Sequence, residues 1–116
     1  MSTAHAADFT WRSHIRDGGP GFESRRWGDE QYSELMFWTC SGGNSVTAQY
    51  HRDISAWPDA DYDAKTFTNC FNGQYSQSQG EWHNLPNGTY YFGINSVGGG
   101  SKVDVRDVLV DTTAAD

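Results

Sequence analysis

The chain is poor in the features that mark catalytic, nucleic-acid-binding or membrane proteins. Among its 116 residues there are three prolines, two cysteines and eight basic side chains, the last set against fifteen acidic ones. A formal net charge of −7 argues against a general nucleic-acid binder, because phosphate binding needs a basic field. No run approaches the ~18 apolar residues of a spanning helix, so no membrane crossing is expected. No segment shows helical apolar spacing. No Gly-x-Ser-x-Gly elbow, phosphate loop, nucleotide fingerprint, Cys-x-x-Cys or His-x-His occurs either, and the chain reads as non-enzymatic.

Glycine and aromatic residues are abundant instead. Thirteen glycines punctuate the chain, and five tryptophans (Trp11, Trp27, Trp38, Trp57 and Trp82) are spread along it. With short alternating runs between the glycines, this composition predicts an all-β fold, a small antiparallel β-sandwich of about six or seven strands. The length suits one domain, and neither an internal repeat nor a second domain is visible.

The charge is uneven. Residues 11–27 carry Arg12, Arg16, Arg25 and Arg26 against Asp17 and Glu23, a balance of +2. Residues 31–116 carry Arg52, Lys65, Lys102 and Arg106 against ten acidic side chains, a balance of −6. The expected organisation is therefore a leader remnant over 1–7, an N-terminal strand with an Arg/Gly-rich arm or loop over 8–30, and a sandwich over 31–116. Ala4-His5-Ala6 has the Ala-x-Ala form that a signal peptidase reads, with Met1 standing in place of a removed leader. A secreted chain with two cysteines is expected to join Cys40 to Cys70.

Residues 8–16 alternate as a half-buried strand until Asp17-Gly18-Gly19-Pro20-Gly21 breaks the period, and Phe22 to Glu30 reads as an irregular connection. "YSELMFWTC" (32–40) is apolar on both faces and reads as a covered strand. "SVTAQYHRD" places Val46, Ala48 and Tyr50 inward. "ISAWPDADYDAK" reads as a loop, "TFTNCF" as a short strand and "NGQYSQSQG" as a polar loop. In "LPNGTYYFGINS" the Pro86-Asn87-Gly88 triplet reads as a turn, and the Leu-Pro-x-Gly-x-Tyr run looks like a tyrosine corner. Asn87-Gly88-Thr89 also fits the N-glycosylation pattern, but turn chemistry accounts for it. Val103 and Val105 fall in one phase, Val108 and Val110 in the other, which predicts a β-bulge near Arg106-Asp107.

Three groupings are candidates for chemistry. His51 with Asp53, and Glu81 with His83, could make a metal or acid/base site, but solvated strand faces explain them as well. Asp59, Asp61 and Asp63 begin like a calcium loop without its glycine or its closing glutamate, so a weak Ca2+ site is the most they offer, and no other cofactor is expected. Trp57 and Tyr62, with Tyr75 and Tyr91, could stack sugars, which makes a carbohydrate-binding module the alternative function.

The remaining candidate is the N-terminal stretch. Residues 8–16 could be the domain's own edge strand, or some or all of residues 8–28 could extend from the body and add to a partner's sheet. Trp11, Arg12, Arg16, Phe22, Arg25, Arg26 and Trp27 are then the partner-binding residues, since Trp and Arg dominate interfaces. A serine-protease inhibitor presenting an arginine ranks lower, because the Asp17–Gly21 stretch is loose.

The Ala-x-Ala site, the cysteine pair, "LPNGTYYFGI" and the closing "VDVRDVLVDTTAAD" together resemble small exported proteins of soil actinobacteria. In plan the chain is similar to the small adaptor subunit of antibacterial umbrella toxin particles, a likeness of organisation over the whole mature length. The resemblance implies a non-enzymatic linker whose β-domain docks on a repeat-containing stalk protein. It further implies that the N-terminal extension enters a cleft in a lectin-bearing subunit with a degenerate trypsin-like domain, where Arg25 or Arg26 would fit. The expected function is thus a secreted adaptor that binds other secreted proteins.

Overall fold

The structure, a computed structural model, describes residues 10–113. The expected leader remnant lies outside the described residues, as does Phe9 of the expected first strand. Six antiparallel strands form one sheet: β1 (Trp11–Gly18), β2 (Trp27–Ser41), β3 (Ser45–Asp53), β4 (Ala60–Phe67), β5 (Gln77–Gly98) and β6 (Val103–Asp111). Their order is β1-β6-β2-β5-β3-β4, and one 3-10 turn, Asn69–Phe71, follows β4. The all-β class, the strand number and the Cys40–Cys70 disulfide are as the sequence leads one to expect.

The two layers of the fold are a single sheet bent over on itself. β5 is 22 residues long, and its first half pairs with β2 while its second half pairs with β3. β2 and β5 bend at the same level. Gln31 opposes Leu85 with register shifts on either side, and Gln31 and Asn84 both take left-handed backbone angles (φ 68 and 59). Extra residues at such bulges bend a strand and tighten its twist, which turns the sheet's corner. The turn expected at Pro86-Asn87-Gly88 is corrected here. Leu85 and Gly88 remain in register with β2, so the triplet sits inside a continuous strand and makes a bend, not a reversal. The tyrosine corner itself is present: the Tyr90 hydroxyl donates to the Pro86 carbonyl at 2.5 Å.

The N-terminal stretch belongs to this sheet. β1 pairs with β6 from Trp11↔Val110 to Gly18↔Val103. The expected irregular connection over 22–30 is corrected as well. The Gly21 and Ser24 N–H groups donate to the Ile94 and Phe92 carbonyls, and Ile94 N–H returns a bond to Phe22. β2 then begins at Trp27.

The core lies between the two halves of the bent sheet. Phe37 on β2 meets Phe92 on β5 and Phe67 on β4, at ring-centre distances of 5.7 and 5.1 Å. Tyr50 stacks on Trp82 at 3.9 Å, and its buried hydroxyl is satisfied by Ser33 Oγ at 2.7 Å. Each such side chain contributes about 1.5–3 kcal/mol on leaving water. Val46, Ala48 and Tyr50 are fully buried, as their alternation predicts. So are both valine pairs of β6, because β2 and β6 change face together where Thr39 (φ 57) lies beside Arg106 and Asp107. β1 does not follow, and the register of β1 and β6 shifts between Ser13/Val108 and Ile15/Val105, as a bulge there requires.

Candidate functional site

The sheet sorts the N-terminal side chains by position. Trp11 and Trp27 are core residues, which corrects their assignment as interface anchors. Their rings meet 5.6 Å apart, Trp11 lies parallel to Phe92, and the Trp27 indole N–H donates to the buried Asp29 carboxylate at 2.9 Å. Phe22 is half-buried against Phe92. Arg26 is held by Asp53, Glu23 and the Ser24 carbonyl and lies 3.8 Å from the centre of the Tyr91 ring. Its exposed ion pairs are worth little individually, yet four contacts fix the side chain. Arg25, by contrast, is exposed over the Trp11 ring at 5.4 Å, and Arg16 projects from β1.

β1 and β4 are the edges of the sheet, and they differ. Along β4, the Trp82 indole N–H donates to the Asp63 carbonyl at 2.9 Å and Lys65 lies over the Trp82 ring, so one main-chain acceptor of that strand is already taken. β1 instead borders a slot of about 90 Å³. Trp11, Ser13 and Ile15 line it on one side, and Phe22, Ser24 and Arg25 on the other. The Trp11 indole nitrogen is buried there without a hydrogen-bond partner.

On the outer face of β1, β6 and β2 lies a second feature, which brings the sugar-stacking candidate Tyr75 together with Arg12 and with residues the sequence did not single out. A groove of about 420 Å³ is lined by Arg12, Trp38, Thr39, Gln74, Tyr75, Arg106 and Asp107. It continues through Thr39 and Arg106 into a shallower one of about 520 Å³ beside His14, Arg16 and Asp104. Tyr75 is 81% exposed, and it and Thr39 both have left-handed backbones (φ 70 and 57). Non-glycine residues held this way cost about 1–3 kcal/mol each and persist where their surroundings enforce them. Here the enforcement is local. Tyr75 N–H donates to Thr39 Oγ1, Thr39 N–H to the Ser76 carbonyl, and Ser76 Oγ to the Cys70 carbonyl beside the disulfide. Trp38 is half-buried rather than covered, its indole N–H fixed by Gln77 at 3.1 Å. Tyr75, alone among polar residues in "NGQYSQSQG", is the one aromatic candidate of the sequence that lies here.

The remaining candidates are dispersed. The stretch read as a loop becomes β4 from Ala60, because Ala60 and Asp61 pair with Arg52 and His51. Asp59, Asp61 and Asp63 therefore lie along an extended chain and do not curl about a centre. Asp59 accepts from the Tyr91 hydroxyl, which holds its carboxyl below the usual range, and Asp61 accepts from or pairs with His51 Nδ1 at 2.7 Å. Among the described residues no group of three His, Cys, Asp or Glu is placed to hold a metal. His51 stacks on Tyr91, while His83 packs against Tyr32 and bonds Glu81, so the two histidines occupy separate clusters. Trp57 stands 73% exposed in the β3–β4 loop, whereas Tyr62 packs on the core beside Tyr90.

Asp111, Glu34 and Glu81 form a row across β6, β2 and β5. Desolvation first, then the charges of Asp111 and Glu81, raise the Glu34 carboxyl above its ordinary value. Tyr32, beside them, is pushed up to about 12, mainly by burial.

Compared with known protein families, with curated proteins and with solved structures, the chain finds no match in any of the three. Among the described residues no helix is long and apolar enough to cross a membrane.

Proposed function

We propose that this chain is a secreted, non-enzymatic protein-binding adaptor, and that it holds an extended segment of a partner along the free edge of β1. The observation that carries this reading is the asymmetry of the two edges. On β4 the Asp63 carbonyl is taken by the Trp82 indole N–H, while β1 borders an apolar slot with Arg25 over it. A strand added to a sheet edge gains main-chain hydrogen bonds, and a pocket for alternate side chains gives it specificity. The slot offers room for one small apolar side chain above Ser13. The disulfide suits an oxidising, extracellular setting. In its finer form, this reading makes the chain a linker between subunits of an antibacterial toxin particle, as the resemblance to umbrella toxin adaptors implies.

Deleting the N-terminal stretch would remove an edge strand and Trp11 from the core, so the test uses point changes. A photo-reactive phenylalanine analogue at Ser13 is exposed to native culture supernatant, with the same analogue at Thr66 on β4 as the control. The expected result is a defined secreted polypeptide labelled from position 13, not from 66, and lost with Arg25→Glu. Equal labelling from both edges, or none, ends the reading.

A further inference from the structure

The groove on the outer face of β1, β6 and β2 is separate from the β1 edge, and its composition points elsewhere. β6 and β2 are interior strands whose main-chain groups pair with neighbours on both sides. A polypeptide laid across this face has no sheet edge to join. What the face offers is side chains: the open phenol ring of Tyr75, the half-buried indole of Trp38, and the planar polar groups of Gln74, Arg12, Asp107 and Arg106. We propose that this groove binds an anionic saccharide, with a pyranose ring against Tyr75 and its carboxylate or sulfate at Arg106.

The chemistry of each part matches. Aromatic faces accept the C–H face of a sugar ring, and planar amide, carboxylate and guanidinium groups bond vicinal hydroxyls in pairs. The groove volume falls in the roughly 300–1,000 Å³ range of small-ligand sites. Charge decides the class of sugar. Arg12 is paired with Asp107 at 3.2 Å, and Asp104 accepts the Asp17 N–H. Among the described residues neither Arg106 nor Arg16 makes an ion pair, and His14 of β1 lines the second groove. On a chain of net charge −7, unpaired guanidinium groups over an open groove favour an anion of matching geometry. Preorganisation is the second, independent observation. Tyr75 N–H donates to Thr39 Oγ1 and Thr39 N–H to the Ser76 carbonyl, next to the disulfide, so the backbone that carries the ring is set before any ligand arrives.

The test is titration of the folded chain, followed by NMR, with four probes: an oligogalacturonate, a heparin-derived hexasaccharide, neutral cellohexaose and a poly-glutamate peptide. Binding of the oligogalacturonate, the heparin fragment or both is expected, with cellohexaose at least tenfold weaker. Whichever acidic sugar binds identifies carboxylate or sulfate as the anion. Tyr75→Gly removes the ring while relaxing its backbone, so a folded protein with about tenfold or greater loss of affinity is expected. Arg106→Gln should weaken binding and flatten its salt dependence, whereas Trp57→Ala should change nothing. Four results overturn the proposal: no saccharide bound, cellohexaose bound as well as the acidic sugars, affinity unchanged by Tyr75→Gly, or poly-glutamate bound more tightly through the same residues.

Discussion

Glu34 on β2 stands directly across from Glu81 on β5, and its other neighbour in the row is Asp111 on β6. Like charges placed opposite one another in a sheet oppose pairing. Burial raises the Glu34 carboxyl further, so its folded-state pKa lies above the unfolded value. The folded state then holds this proton more tightly, and Glu34 weakens the fold at neutral pH. That penalty is relieved as pH falls through the raised pKa toward the ordinary carboxylate value. Glu34→Gln should therefore be at least as stable as the parent at pH 7, and the difference should shrink near pH 5. Urea denaturation of both proteins at the two pH values checks this, and a variant less stable at pH 7 would contradict it.

Tyr90→Phe removes the hydroxyl that reaches the Pro86 carbonyl across the bend of β5. A loss of about 1 kcal/mol is expected, with the ring's packing retained. The readout is the denaturation midpoint at constant m-value. A change in m would mean that the bend itself had opened.

For Tyr75→Gly the expected direction is the reverse. Glycine adopts φ near +70 without the steric penalty that tyrosine meets, while an 81% exposed ring contributes little burial. Stability should stay level or rise by up to about 1 kcal/mol, because glycine's larger unfolded-state entropy offsets part of the gain. Thermal unfolding measures it.

Replacing Cys40 and Cys70 by alanine opens a link between residues separated by 30 positions. Chain entropy places the loss at about 3–4 kcal/mol. The Thr39–Tyr75 contact lies beside this bridge, so hydrogen exchange at Thr39 and Tyr75 should accelerate more than at Tyr50, in the middle of β3. Equal acceleration at all three sites would mean that the bridge acts on the whole domain alone.

The all-β class, the inward face of β3 and the tyrosine corner were legible because each is written in a few consecutive residues. Period two at Val46, Ala48 and Tyr50 needs no partner to be recognised. The bend at Pro86-Asn87-Gly88 was not legible. Those residues favour reversal locally, and only their pairing with β2 keeps the chain extended. Alternation over the first strand showed a buried face without showing whose core buries it, which is why Trp11 looked available to a partner, and Trp27 looked so because residues 22–30 carry no period of their own. Tyr75 was legible as a stacking residue, but the groove around it was hidden for a similar reason. Its geometry depends on hydrogen bonds between Thr39 and Tyr75 or Ser76, segments more than thirty residues apart in sequence.

At the free end of the β1–β6 pair, Thr10 and Thr112 touch through their hydroxyls at 2.6 Å. The two strands thus leave the domain side by side. A tension applied between them would act across the β1–β6 ladder, parting its bonds one after another like a zipper. On the adaptor reading, partners attached at these two ends would be joined through the weakest way of loading the sheet.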